Sequence, residues 1–168
     1  MKTKTTIESI TPEQFHTMTR AFIGLPVSHT WRGYGDAIFF ELGQLLPRSR
    51  TRKDGSIRTS YRGQATIDLE NGWRVERLRS IFFGSSNGYK RIENCLKKLE
   101  GLEIVEITSQ GRLPEVIIQL SGGYWLHSFA TWEGQPDWTL FFNENGDSTK
   151  WLMAKNGKIV LATESAKA

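Results

Sequence analysis

The sequence predicts an α+β fold, an antiparallel sheet or sheets with two helices, built from two divergent helix-plus-strands repeats. Three observations predict it. Two amphipathic helical stretches each end on Gly-Leu, at Gly24-Leu25 and at Gly101-Leu102, 77 residues apart. A short β-rich run follows each, 37–43 after the first and 116–122 after the second. Turn dipeptides at Asn71-Gly72, Asn145-Gly146 and Asn156-Gly157 keep the connections short, which favours antiparallel neighbours. The repeats are placed at 11–76 and 86–162 within a single domain, 1–168. Two units at such a spacing argue for an old duplication and not for a solenoid, which needs at least three stacked units.

The first helix starts at Thr11, where Thr-Pro-Glu-Gln offers an N-cap hydroxyl, proline at the first helical position and Gln14 to close a capping box. Phe15, Met18 and Phe22 share one face, and Gly24 ends the helix. The strand at 65–69 alternates Ala65, Ile67 and Leu69 with Thr66 and Asp68, and Asn71-Gly72 is expected to turn it back onto 73–76 as a type I′ hairpin. In the second helix Ile92, Cys95, Leu96 and Leu99 form the apolar stripe, and Gly101 supplies a left-handed cap. Ser121-Gly122-Gly123 joins the strand at 116–120 to the one at 124–129, and 66–72 is echoed by 139–146.

A chain of 168 residues can bury roughly 70% of its unfolded surface, so a core needs no staples. Cys95 is the only cysteine, which excludes an internal disulfide and a multi-cysteine zinc site. His16, His29 and His127 are too scattered to replace it, and no metal or cofactor is expected. The polar start, Met-Lys-Thr-Lys-Thr-Thr, lacks the apolar stretch of a signal peptide, and no run reaches the roughly 20 apolar residues of a span. A cytoplasmic protein without membrane contact is the expectation.

No catalytic motif stands out. His127 and Ser128 are adjacent on a strand and point to opposite faces, so they cannot serve each other. Trp125, His127 and Phe129 share a face that reads as core. Asp68 and Glu70 share the polar face of their strand and read as a water-facing pair. Gly33-Tyr34-Gly35 begins a dinucleotide-binding turn, but Ile38 stands where the third glycine belongs, and a strand follows in place of a helix. An enzyme with a dispersed site near His127 or His29 is kept as an alternative.

Charge is the more informative signal. The net charge is +4, yet Arg48, Arg50, Arg52, Lys53, Arg58 and Arg62 fall in one segment with Asp54 as its only acid. Lys53-Asp54-Gly55-Ser56 reads as the tip of a long hairpin. Such an arm suits carboxylates on a protein partner, and its alternative use is tracking nucleic-acid phosphates with Tyr61 stacking on a base. Trp132 and Trp138 bracket a Gly-Gln-Pro-Asp loop and are further candidate contacts among the six tryptophans.

The segments 24–27, 39–43, 73–76, 99–101 and 120–123, with Phe129, resemble a group of small uncharacterised bacterial proteins over about residues 23–146. That resemblance implies an immunity- or defence-like role and carries over no catalytic residue. The expectation is a non-enzymatic protein-binding module for an acidic partner surface, with nucleic acid as the alternative partner.

Overall fold

The computed structural model describes residues 3–134, 136–145 and 147–166. In chain order these form β1 (Thr3–Ser9), α1 (Pro12–Thr19) with a 3₁₀ turn at Arg20–Phe22, β2 (Val27–Arg32), β3 (Ile38–Leu42), β4 (Leu46–Thr51), β5 (Ile57–Arg62), β6 (Ala65–Leu69), β7 (Gly72–Arg77) and β8 (Ser80–Gly84). Then come α2 (Tyr89–Lys97), β9 (Ile104–Gln110), β10 (Glu115–Leu120), β11 (Tyr124–Phe129), β12 (Trp138–Glu144), β13 (Asp147–Lys155) and β14 (Lys158–Ala166). A seven-stranded sheet runs β1-β14-β13-β12-β6-β3-β2, a five-stranded sheet runs β8-β7-β11-β10-β9, and β4 pairs with β5 alone. Every pairing is antiparallel.

Local signals set the helices. Thr11 accepts from the Gln14 amide at 3.2 Å while the Gln14 side chain accepts from the Thr11 amide at 2.8 Å, which satisfies two otherwise orphaned donors. Phe15 meets Trp138 edge-on, ring centres 6.0 Å apart, and Phe22 meets Phe142 at 5.1 Å, so α1 and its 3₁₀ extension lie on β12. In α2, Ile92, Cys95 and Leu96 are buried, with Leu99 just beyond the helix. One apolar cluster joins residues of both helices and both large sheets.

The two Gly-Leu segments cross-link. The Gly24 amide donates to the Ile104 carbonyl and the Gly101 amide to the Val27 carbonyl, both at 2.8 Å. The Val27 amide donates to the Leu102 carbonyl (2.7 Å) and the Ile104 amide to the Leu25 carbonyl (3.0 Å), around a bridge between Pro26 and Glu103. Each bond thus has a counterpart 77 residues along. The helices exchange sides in the same sense, α1 packing on β9 and α2 on β2.

Two expectations are corrected here. Asn71-Gly72 closes no hairpin: Asn71 has φ +58°, but β6 belongs to the seven-stranded sheet and β7 to the five-stranded one. Both edges of β6 are already taken, by β3 and β12, so the chain must cross over. The echoing segments 66–72 and 139–146 are neighbours, since β6 hydrogen-bonds to β12 with Thr139 opposite Asp68; Gly146 lies outside the described residues. Finally, Leu126 and Ser128 take the core side of β11, leaving Trp125, His127 and Phe129 on its other side among polar groups.

Candidate functional site

The arginine segment forms the β4–β5 ribbon. Its tip is shaped by the Arg52 amide donating to the Ser56 carbonyl (2.8 Å), and by Asp54, which accepts from the Ser56 amide and hydroxyl at 2.9 and 2.6 Å. Those two bonds hold the Asp54 carboxyl below its usual range. Opposite pairs along the ribbon are Leu46 with Arg62, Pro47 with Tyr61, Arg48 with Ser60, Ser49 with Thr59, Arg50 with Arg58 and Thr51 with Ile57. With side chains alternating, Arg48, Arg50, Arg58 and Arg62 share one face. The other face, Pro47, Ser49, Thr51, Ile57, Thr59 and Tyr61, carries no charge.

The six cations differ in what they touch. Arg62 reaches to 3.5 Å from the Thr66 hydroxyl and 4.0 Å from Glu41, at the root of the ribbon, so it belongs to the fold and is not a free contact. Glu41 is fully buried and accepts from the Gly63 amide (3.0 Å), the Thr66 hydroxyl (2.6 Å) and the Trp31 indole (3.2 Å). Gly63 is required there, because a Cβ would collide with the Leu42 backbone. Asn143 adds donors to the Gly63 carbonyl (3.0 Å) and the Thr66 hydroxyl (2.8 Å). Arg48 bonds Asp147 at 2.7 Å. Among the described residues Arg50, Arg52, Lys53 and Arg58 have no ion-pair partner.

The two tryptophans of the other candidate surface part company. Trp138 is buried, donates to the Pro114 carbonyl at 2.8 Å and packs on Phe15, so it is a core residue and offers nothing to a partner. Trp132 is 69% exposed. Between its loop, the 113–115 turn and the β13–β14 turn lies a cavity of about 660 Å³ whose lining includes Trp132, Glu115 and Asp137. Gln135 of this loop lies outside the described residues. Asp137 is buried, accepts from Asn71 at 3.4 Å, and its carboxyl is pushed up chiefly by burial, with Glu115 adding to it.

Asp68 is not water-facing. It is 7% exposed, flanked by Phe39 on β3 and Thr139 on β12, and its Oδ1 has no hydrogen-bond partner among the described residues. Burial, and then the charge of Glu70, pushes this carboxyl up to about 8, against a smaller opposing pull from Arg62. Sequence alternation assigned Asp68 to the correct face but could not show that the face is covered. The only available signal was the central place of β6, which depends on strands far away in sequence.

His127 stands 3.6 Å from Glu76 and 3.7 Å from Glu115, with Gln110 at 3.2 Å and Phe129 tilted against its ring. It is nearly buried and is not among the residues lining the cavity. His29 sits 3.7 Å from Glu100, itself tied to Thr30 and Lys97. Neither histidine faces a nucleophile across a hydrogen bond. Cys95 is buried in the apolar stripe of α2. Among the described residues no three His, Cys, Asp or Glu side chains group as a metal site, and no helix is long and apolar enough to cross a membrane. Comparison with protein-family models, with curated proteins and with solved structures finds no match to this chain.

Proposed function

We propose that the protein is a non-enzymatic binding module that captures an acidic protein surface on the arginine face of the β4–β5 ribbon. One observation carries the reading. Arg50 and Arg58 stand directly opposite each other, both exposed, with no ion-pair partner among the described residues. Like charges opposite each other on a two-stranded ribbon oppose its formation. A partner carboxylate removes that repulsion, and guanidinium forks bind carboxylates through paired hydrogen bonds.

Nucleic acid remains the second reading, and the ribbon's geometry disfavours it. Single-strand binding combines backbone contacts with stacking on one surface, whereas Tyr61 lies on the face away from Arg50 and Arg58. Occlusion of an acidic partner as a bacterial immunity or defence factor is the finer proposal, supported by the sequence resemblance. We also infer that the two helix-plus-strands halves descend from one unit. The reciprocal bonds around Pro26 and Glu103 support that descent.

The test is a pull-down from extract of the source cells with and without nuclease, using the native chain and a variant with Arg50→Ala and Arg58→Ala. Protein capture that survives nuclease and disappears with the variant is expected. Undiminished capture after Arg48, Arg50, Arg52 and Arg58 are all changed to alanine removes the ribbon from the function. Capture lost on nuclease treatment, with a steep salt dependence, moves the assignment to nucleic acid.

A further inference from the structure

The cavity beside Trp132 is independent of the ribbon. Its volume of about 660 Å³ falls within the roughly 300–1,000 Å³ of small-molecule sites. Leu113, Pro114 and Met153 give it apolar surface, and Glu115, Glu133 and Asp137 give it three carboxylates. The hydrogen bonds that Glu115 and Asp137 accept come from neutral amides, and His127 offsets the Glu115 charge only when its ring is protonated. One Glu115 oxygen accepts from the Ala130 amide at 3.2 Å, and the other stands 3.7 Å from His127, beyond a hydrogen bond. Asp137 is held by the Asn71 side-chain amide and the Thr131 backbone amide, both neutral donors. Lys155, also in the lining, is exposed and pairs with neither.

Trp132 completes the arrangement. Its indole is mostly exposed at the cavity and, among the described residues, is stacked on no other ring and carries no cation of the chain. An exposed indole beside carboxylates that only neutral groups hydrogen-bond is the chemistry that holds organic cations, the ring face attracting the charge and the carboxylates accepting its hydrogen bonds.

We propose that this cavity binds a small organic cation, an ammonium or guanidinium group on an apolar body, with Glu115 and Asp137 accepting from the charged group and Trp132 lying over it. The Asp137 carboxyl is pushed up by burial and by Glu115, and a cation beside both carboxylates offsets the repulsion between them. Anionic ligands meet three carboxylates against one exposed lysine. Uncharged ligands of the same shape leave the carboxylates without charge compensation.

Calorimetric titration of the full chain with phenethylamine and with agmatine, and with phenethyl alcohol as the uncharged control, tests this. At least one amine is expected to bind, with the alcohol weaker by about tenfold or more. Trp132→Ala, a change at an exposed position, should weaken the amine by about two- to fivefold. Glu115→Gln keeps an acceptor for the Ala130 amide and should weaken the amine by about tenfold. Asp137→Asn should act likewise, and the Glu115 and Trp132 variants decide the matter if it fails to fold. Absence of amine binding, alcohol binding equal to amine binding, or Glu115→Gln and Trp132→Ala variants that bind the amine as the native chain does would each overturn the proposal.

Discussion

The seven-stranded sheet carries opposite chemistry at its two ends. At the end where Leu42, Ala65 and Phe142 pair, the insert between β3 and β6 is the ribbon, exposed and basic. At the end where Leu69 pairs with Trp138, the insert between β11 and β12 frames a cavity lined by three carboxylates. Five residues of β6 separate them, a span of about 13 Å at roughly 3.3 Å per residue. At the ribbon end the buried acid, Glu41, is fully provided with donors, so that acid serves the fold and the free charge lies outside it. At the cavity end the acids have neutral donors only. Saturation of hydrogen bonds, more than charge itself, separates the acid that serves the framework from the charges left for the proposed contacts.

Changes at each end can break or sharpen that contrast. The largest effect is expected at the cavity end from Trp138→Ala, which removes a fully buried ring and should cost about 3–5 kcal/mol in denaturant unfolding. Trp132→Ala, six residues away in the same loop, should stay within about 0.5 kcal/mol. Equal losses would erase the distinction between the two tryptophans. At the ribbon end Glu41→Ala strands three donors and should cost about 3 kcal/mol or more. Amide exchange at residues 46–62 should quicken with it, and unchanged exchange there would mean that Glu41 does not root the ribbon.

Asp68 lies between the two ends and should show itself through pH. Its carboxyl stands at about 8 in the folded chain against an ordinary 3.8, so the folded state holds a proton that the unfolded state releases. Stability from this group is complete below about pH 4 and is lost as pH rises toward 8, at up to about 1.4 kcal/mol per pH unit. Asp68→Asn should remove that slope and leave the variant the more stable form near pH 8. Parallel stability curves for the two proteins would show that Asp68 ionises freely. The smallest stability effect belongs to Arg50→Ala with Arg58→Ala, which relieves a like-charge pair and should leave the melting midpoint unchanged or slightly raised. A clear fall would give those arginines a structural role in the ribbon.

What the sequence revealed was local. The capping box at Thr11, the left-handed Gly101, the Ser121-Gly122-Gly123 turn and the tip at Asp54 each depend on residues close along the chain, and each is present. Asn156-Gly157 does close a two-residue hairpin between β13 and β14, whereas the same dipeptide at Asn71-Gly72 does not. The turn chemistry permits a reversal, but partners from elsewhere decide whether the strand has a free edge to reverse onto. The same limit hid Asp68 and Trp138, whose burial is imposed by β3, β12 and α1. Of the candidate sites, the ribbon was legible because its charge is contiguous. The cavity was not, because Glu115 and Asp137 meet only after β10 and β12 are placed.

The crossing of β7 into one sheet and of β12 into the other has a consequence for how the chain can be divided. Cut in the loop before α2, the amino-terminal piece would keep β7 and β8 but lack the β9–β11 framework they complete, and the carboxy-terminal piece would hold β12–β14 without β6 to build on. Each fragment would carry an open edge shaped for the other. Mixed together they are expected to complement each other, and kept apart each has reason to seek a second copy of itself.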